Sequence, residues 1–101
     1  MDAIVKDLKV QGVARSSEAG EALDVAGSFD LETLCAVTSV SAVQLREIGD
    51  LLSAGRLERW YLVTERQAYY VSERTGARWV AVGEPLKNAE ATSKALHRAA
   101  R

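Results

Sequence analysis

The 101 residues contain one cysteine, one histidine and one proline, and these scarcities remove whole classes of function. Cys35 has no partner for an internal disulfide, and one cysteine with one histidine cannot build a zinc site. Cys35 also lies mid-way along an apolar helical stretch with no histidine near it in sequence. Burial there raises a thiol's pKa, so a small buried hydrophobe is expected and not a nucleophile. Charge of either sign is balanced: 13 Lys+Arg against 14 Asp+Glu leaves a formal net charge of −1. No global field therefore draws the chain to nucleic acid or to an anionic membrane. No apolar run approaches the roughly eighteen residues needed to span a bilayer. The opening MDAIVKDLKV mixes acids and bases and does not read as a signal peptide, so a cytoplasmic location is expected. There is no glycine-rich phosphate loop, and Ser16, Ser17, Ser39 and Ser41 lack any elbow or base motif. No catalytic residue, metal ligand or cofactor is expected, and the functional reading is one of binding.

What is present is an ordinary globular composition, 48% hydrophobic and 27% charged, large enough for one domain over residues 1–101 with a core of its own. The longest apolar stretch, DLETLCAVTSVSAVQLREIGDLLSA from Asp30 to Ala54, predicts one helix. Asp30 suits the N-cap, Phe29 a hydrophobic staple onto Leu34, and Gly55 a left-handed C′ position. Leu34, Val37, Leu45, Ile48, Leu51 and Leu52 form one broad stripe, expected to pack on the protein's own sheet. Ala36, Val40 and Val43 form a second, small-residue patch outside that stripe, beside Glu32, Glu47 and Asp50. A helix buried on one side needs no second patch, so Ala36, Val40 and Val43 are candidates for contact with another protein. The competing reading is a wide core face on a helix sunk between sheet and loops.

Ahead of it, Ile4, Val5 and Leu8 share a helical face in a short first helix, with a strand from Val5 as the alternative. Val13–Glu18 and Glu21–Ala26 predict a hairpin turning at Ala19-Gly20. After Gly55 the composition turns aromatic and β-branched. Leu57–Thr64, Ala68–Ser72 and Arg78–Val82 predict an antiparallel meander turning at Glu65-Arg66-Gln67 and Arg74-Thr75-Gly76. Consecutive apolar residues at Trp60–Val63 and Trp79–Val82 imply a sheet covered on both faces. Pro85 suits the first position of a last helix, with Leu86, Ala89, Ser93, Leu96 and Ala100 inward and His97 on the solvated side. The simplest packing is an α+β fold: a five-stranded antiparallel sheet with helices on both faces, in the order α-β-β-α-β-β-β-α.

That order resembles the Roadblock/dynein light chain family. Gly20 in the hairpin, the acidic helix start DLETLCAV, Ala54-Gly55 at its end and the meander with its closing helix carry the likeness over nearly the whole chain. The first helix, Asp2–Lys9, is shorter than the family's usual one. The resemblance implies a non-enzymatic homodimer in which the long helices pair and the third strands join edge to edge. It also implies a platform for other proteins, notably a small Ras-like GTPase. The alternative functions are an adaptor that assembles with a related Roadblock protein without meeting a GTPase, and a small-molecule sensor whose sheet and helix enclose a ligand pocket. Edge pairing at Leu57–Thr64 would also remove an aggregation hazard.

Trp60 and Tyr61 on that strand are the preferred interface anchors, since buried aromatics dominate binding hot spots. Glu47 and Asp50 beside Arg46 either orient a partner or form a solvated helix face. Aromatics interleaved with arginines can also read as a nucleic-acid platform. Glu58, Glu65 and Glu73 cancel the charge of those arginines, and the aromatics fall on both strand faces, so no nucleic-acid partner is expected.

Overall fold

The computed structural model describes residues 2–85 and 88–100. Its elements are α1 (Asp2–Leu8), β1 (Gly12–Ser16), β2 (Ala22–Gly27), α2 (Leu31–Leu51), β3 (Arg59–Val63), β4 (Ala68–Arg74), β5 (Ala77–Gly83) and α3 (Ala89–Ala99). This is the order expected from the sequence. The five strands form one antiparallel sheet in the order β2-β1-β5-β4-β3, which puts β2 and β3 at its edges.

Alternation along the strands sorts side chains to two covered faces. On one face Ala14, Val71, Val80 and Val82 meet Leu31, Leu34 and Cys35 of α2. On the other, Val13, Ala68, Tyr70 and Ala81 meet Leu96 of α3, with Ile4, Val5 and Leu8 of α1 packed alongside. The competing strand at Val5 is thus excluded, and α1, though short, shares the cover of this face with α3.

Asp30 caps α2 as expected: its Oδ1 accepts from Thr33 N at 3.2 Å and its Oδ2 from Thr33 Oγ1 at 2.7 Å. These bonds hold the Asp30 carboxyl below its ordinary pKa. The other end differs from expectation. The left-handed residue after the C-cap Leu52 is Ser53, with φ 51°, and Gly55 takes its own positive φ further on. Ser53 N donates to Asp50 O and Ala54 N to Gly49 O, so a Schellman pair closes the helix without glycine. Lys9, with φ 56°, ends α1 in the same way.

The largest correction concerns which side of α2 faces inward. The buried residues are Leu31, Leu34, Cys35, Thr38 and Ala42, not the Leu34–Leu52 stripe. Of that stripe only Leu34 is buried and Leu45 partly so, while Val37, Ile48, Leu51 and Leu52 are exposed. Small side chains at Cys35, Thr38 and Ala42 let the helix lie close to the sheet. The Thr38 hydroxyl is satisfied within the helix by Leu34 O at 2.8 Å and Cys35 O at 3.1 Å.

Three further expectations change. Helix α3 starts at Ala89 with Asn88 as N-cap, its side chain accepting from Ala91 N, so Pro85 precedes the helix and does not open it. Leu86 lies outside the described residues. The sheet is not covered on both faces throughout: Tyr61, Leu62 and Val63 of β3 are exposed.

Candidate functional site

Helix α2 crosses β1, β2 and β5, and beside it the β3–β4 strip is left open. The opening is an apolar groove of about 400 Å³. Phe29, Leu34 and Val37 line the helix side, and Trp60, Leu62 and Tyr69 the sheet side. Phe29 holds a φ of 124°, rare for a bulky residue, and its ring meets Tyr69 edge-on with centroids 6.3 Å apart. The groove therefore has a fixed aromatic end.

Above the groove the outer surface of α2 is apolar. Val37, Val40 and Leu51 are 55%, 63% and 86% exposed. At about 100° per residue, Val37, Val40, Gln44, Ile48 and Leu51 share an arc of about 80°. Ala36 and Val43 lie further round, toward Ser39. That flank meets the β1–β2 turn: Ser39 Oγ donates to Glu18 O at 3.0 Å. A Cβ placed on Gly20 would come within 3.3 Å of Ala36 Cα.

The six interface candidates are therefore not brought together as one surface. Ala36, Val40, Val43 and Glu47 are all exposed, so none of the three small residues is taken up by the core. Trp60 lies in the groove, half-buried, with its indole N–H enclosed and without an acceptor among the described residues. Tyr61 points to the opposite sheet face. There its ring lies 6.2 Å from that of Tyr70, and the Glu90 carboxylate near its hydroxyl raises the phenol's pKa. Glu90 is held below its ordinary range chiefly by Arg59, 2.7 Å away. Val37, Leu62, Tyr69 and Phe29 are groove residues that sequence reasoning placed in the core, in a strand or in a cap. The available signal was the length of the apolar arc on α2, read with the wrong side turned inward.

Cys35 is fully buried, and burial pushes its thiol up. His97 is not solvated as expected: it lies against the sheet, with Nδ1 2.5 Å from Ser72 Oγ. Among the described residues no helix is long and apolar enough to cross a membrane, and no three His, Cys, Asp or Glu side chains gather as metal ligands.

A sheet of this order, with one long helix on one face and shorter ones on the other, is the Roadblock/LC7 fold. The gliding protein MglB from Thermus thermophilus superposes with a TM-score of 0.82 at 19% identity, covering 97% of this chain and 80% of that one. An MglB structure with tetrameric arrangement gives 0.81 at 19% identity, with 97% and 79% covered. The Roadblock/LC7 domain from Streptomyces avermitilis gives 0.76 at 14% identity, with 98% and 92% covered. No protein-family model matches the sequence, and no curated protein does. At these identities the likeness is one of fold.

Proposed function

We propose that residues 1–101 work as one Roadblock-type domain, a cytoplasmic, non-enzymatic homodimer that presents a platform to a small Ras-like GTPase or its partner proteins. The observation that carries the reading is the apolar outer arc of α2 running alongside an open groove and an unpaired edge strand. A second copy supplies both missing surfaces at once: its α2 covers Val37, Val40 and Leu51, and its β3 extends the sheet. Leu62, 54% exposed on that edge, then enters a shared core, and the edge hazard disappears. Gln44, central in that arc between Val40 and Ile48, sets the register of the helix pair, as single polar seam residues do in coiled coils. The GTPase side of the reading rests on the shared Roadblock fold and on its likeness to a gliding protein; the tetrameric MglB supports self-assembly.

Sedimentation tests the platform directly. A dimer is expected at micromolar concentration, and a monomer at tens of micromolar overturns the proposal. Affinity capture from the native cell then separates the partners. A small GTPase supports the regulator, whereas a related Roadblock protein alone replaces it with an adaptor.

A further inference from the structure

The formal net charge of −1 conceals a segregation along the chain. Residues 17–55, which make the β1–β2 turn, β2 and α2, hold seven acids and one base, Arg46. Arg46 is engaged by Glu73 on β4 at 3.4 Å. Two of the acids are held within the chain: Asp24 by Arg15 at 2.9 Å, and Asp30 as the cap of α2. The other five, Glu18, Glu21, Glu32, Glu47 and Asp50, are exposed and make no ion pair among the described residues.

Helical geometry gathers these charges. At about 100° per residue, Glu32, Ala36, Val43, Glu47 and Asp50 share an arc of about 60° on the flank of α2, next to the apolar arc of Val37, Val40 and Leu51. The strip runs for about 27 Å at 1.5 Å per residue. Ser39 holds the β1–β2 turn beside Ala36, which brings Glu18 and Glu21 alongside its middle. The centre is apolar: Ala36 is exposed and Val43 is 50% exposed. Carboxylates occupy both ends, and the C-terminal pair is set against the helix itself. Asp50 lies in the last turn, which has no basic residue, and negative charge there opposes the macrodipole. Glu47 and Asp50, three residues apart, also repel each other. Chains break local rules of this kind mainly at functional sites, and positive charge from outside the chain relieves both conflicts.

We propose that this strip docks the basic amphipathic helix of a partner protein. Small apolar side chains of that helix rest on Ala36 and Val43, and its lysines and arginines meet the carboxylates at the two ends and on the turn. An apolar centre inside a charged rim is the layout of protein–protein contacts, and the sign of this rim turns nucleic acid and anionic membranes away. The inference rests on the platform reading, for which it names the docking surface and the chemistry of the partner. No residue of the strip lines the apolar groove, and a second copy seated on the arc of Val37, Val40 and Leu51 does not occupy it.

The test is an NMR titration of the whole labelled protein with a synthetic amphipathic helix about 18 residues long, matched to the strip. The peptide carries leucine and alanine on one face and lysine on the other. Saturable shifts are expected in the amides of residues 17–21 and 32–50. The double variant Glu47→Lys/Asp50→Lys changes only exposed side chains. It should weaken binding at least about tenfold, or 1.4 kcal/mol, while raising the urea midpoint, because both new charges suit the helix dipole. Its sedimentation should match the wild type. Equal binding by the variant, equal binding of a control helix with glutamate for each lysine, or shifts centred on Phe29, Trp60 and Tyr69 overturns the strip as the docking surface. Saturable binding at the strip by a protein that sediments as a monomer keeps this inference and removes the homodimer.

Discussion

Ser72 Oγ on β4 and His97 Nδ1 on α3 lie 2.5 Å apart, tying the last helix to the sheet by a polar contact in a largely apolar layer. With the imidazole neutral, the serine hydroxyl donates to Nδ1 in the Nε2–H tautomer, and Nδ1–H donates to Ser72 Oγ in the other. Burial lowers the His97 pKa, and the neighbouring Arg74 lowers it further. A folded-state pKa below the unfolded value means that the unfolded chain binds the proton more tightly. The contribution to stability is complete above the unfolded imidazole value of about 6.5 and is lost as pH falls from there through the depressed folded value. His97 is the only histidine, so this window is its own, above the range where carboxylates titrate. Urea midpoints should decline from pH 7 to pH 5 in the wild type and decline less in His97→Gln. Parallel pH profiles would remove His97 from this role.

The outer face of α2 gives a sharper test of the dimer. Val37→Arg and Val40→Arg place a charge where the pairing helix should lie, and both positions are exposed in the monomer. Each should leave the fold intact and weaken dimerisation by at least about a hundredfold, or roughly 2.7 kcal/mol. Val43→Arg, on the flank toward the hairpin, should cost much less. The comparison is read by sedimentation across a dilution series. If Val43→Arg yields monomers and Val37→Arg does not, the pairing face is the Ala36, Val40 and Val43 patch that the sequence suggested.

That choice shows where sequence reasoning stopped. Element types, the strand meander and the Asp30 cap were readable because each depends on neighbours within a few residues. The orientation of α2 was not, because its wheel is apolar on opposite sides and periodicity carries no sign for in or out. Large side chains at Val37, Ile48 and Leu51 drew the core assignment to themselves. The sheet instead took Cys35, Thr38 and Ala42, whose small size allows close approach. Pro85 misled for a different reason: it is compatible with a first helical turn, but Asn88 supplies a side-chain oxygen to Ala91 N and fixes the start there. The Trp60 and Tyr61 pair divided because adjacent strand residues face opposite ways, a period-two fact that was available all along.

Leu96 offers a stability reference within the α3 layer. It is fully buried against Val13, Tyr70 and Ala81, so Leu96→Ala should cost about 2–5 kcal/mol through lost transfer energy and the cavity left behind. Stability of a chain this size is typically about 5–15 kcal/mol, so the variant should unfold at clearly lower urea. It should keep the wild-type far-ultraviolet spectrum at low temperature. A loss below about 1 kcal/mol would mean that α3 docks more loosely than its packing indicates.

Among the described residues, Glu73 and Arg78 form the ion pair most withdrawn from water, with side chains 12% and 2% exposed. Removing one charge strands the other, a change that typically costs about 3–5 kcal/mol in buried pairs. Arg78→Leu should fall near the low end, because Arg46 remains 3.4 Å from Glu73 and the carboxylate keeps some solvent. Replacing both with apolar residues removes the stranded charge. Arg78→Leu/Glu73→Leu should therefore recover most of the loss, and urea unfolding of the two single variants and the double variant closes the cycle. Additive losses would show that the two side chains stabilise the sheet independently, Arg78 through its packing on β4 and not through its charge.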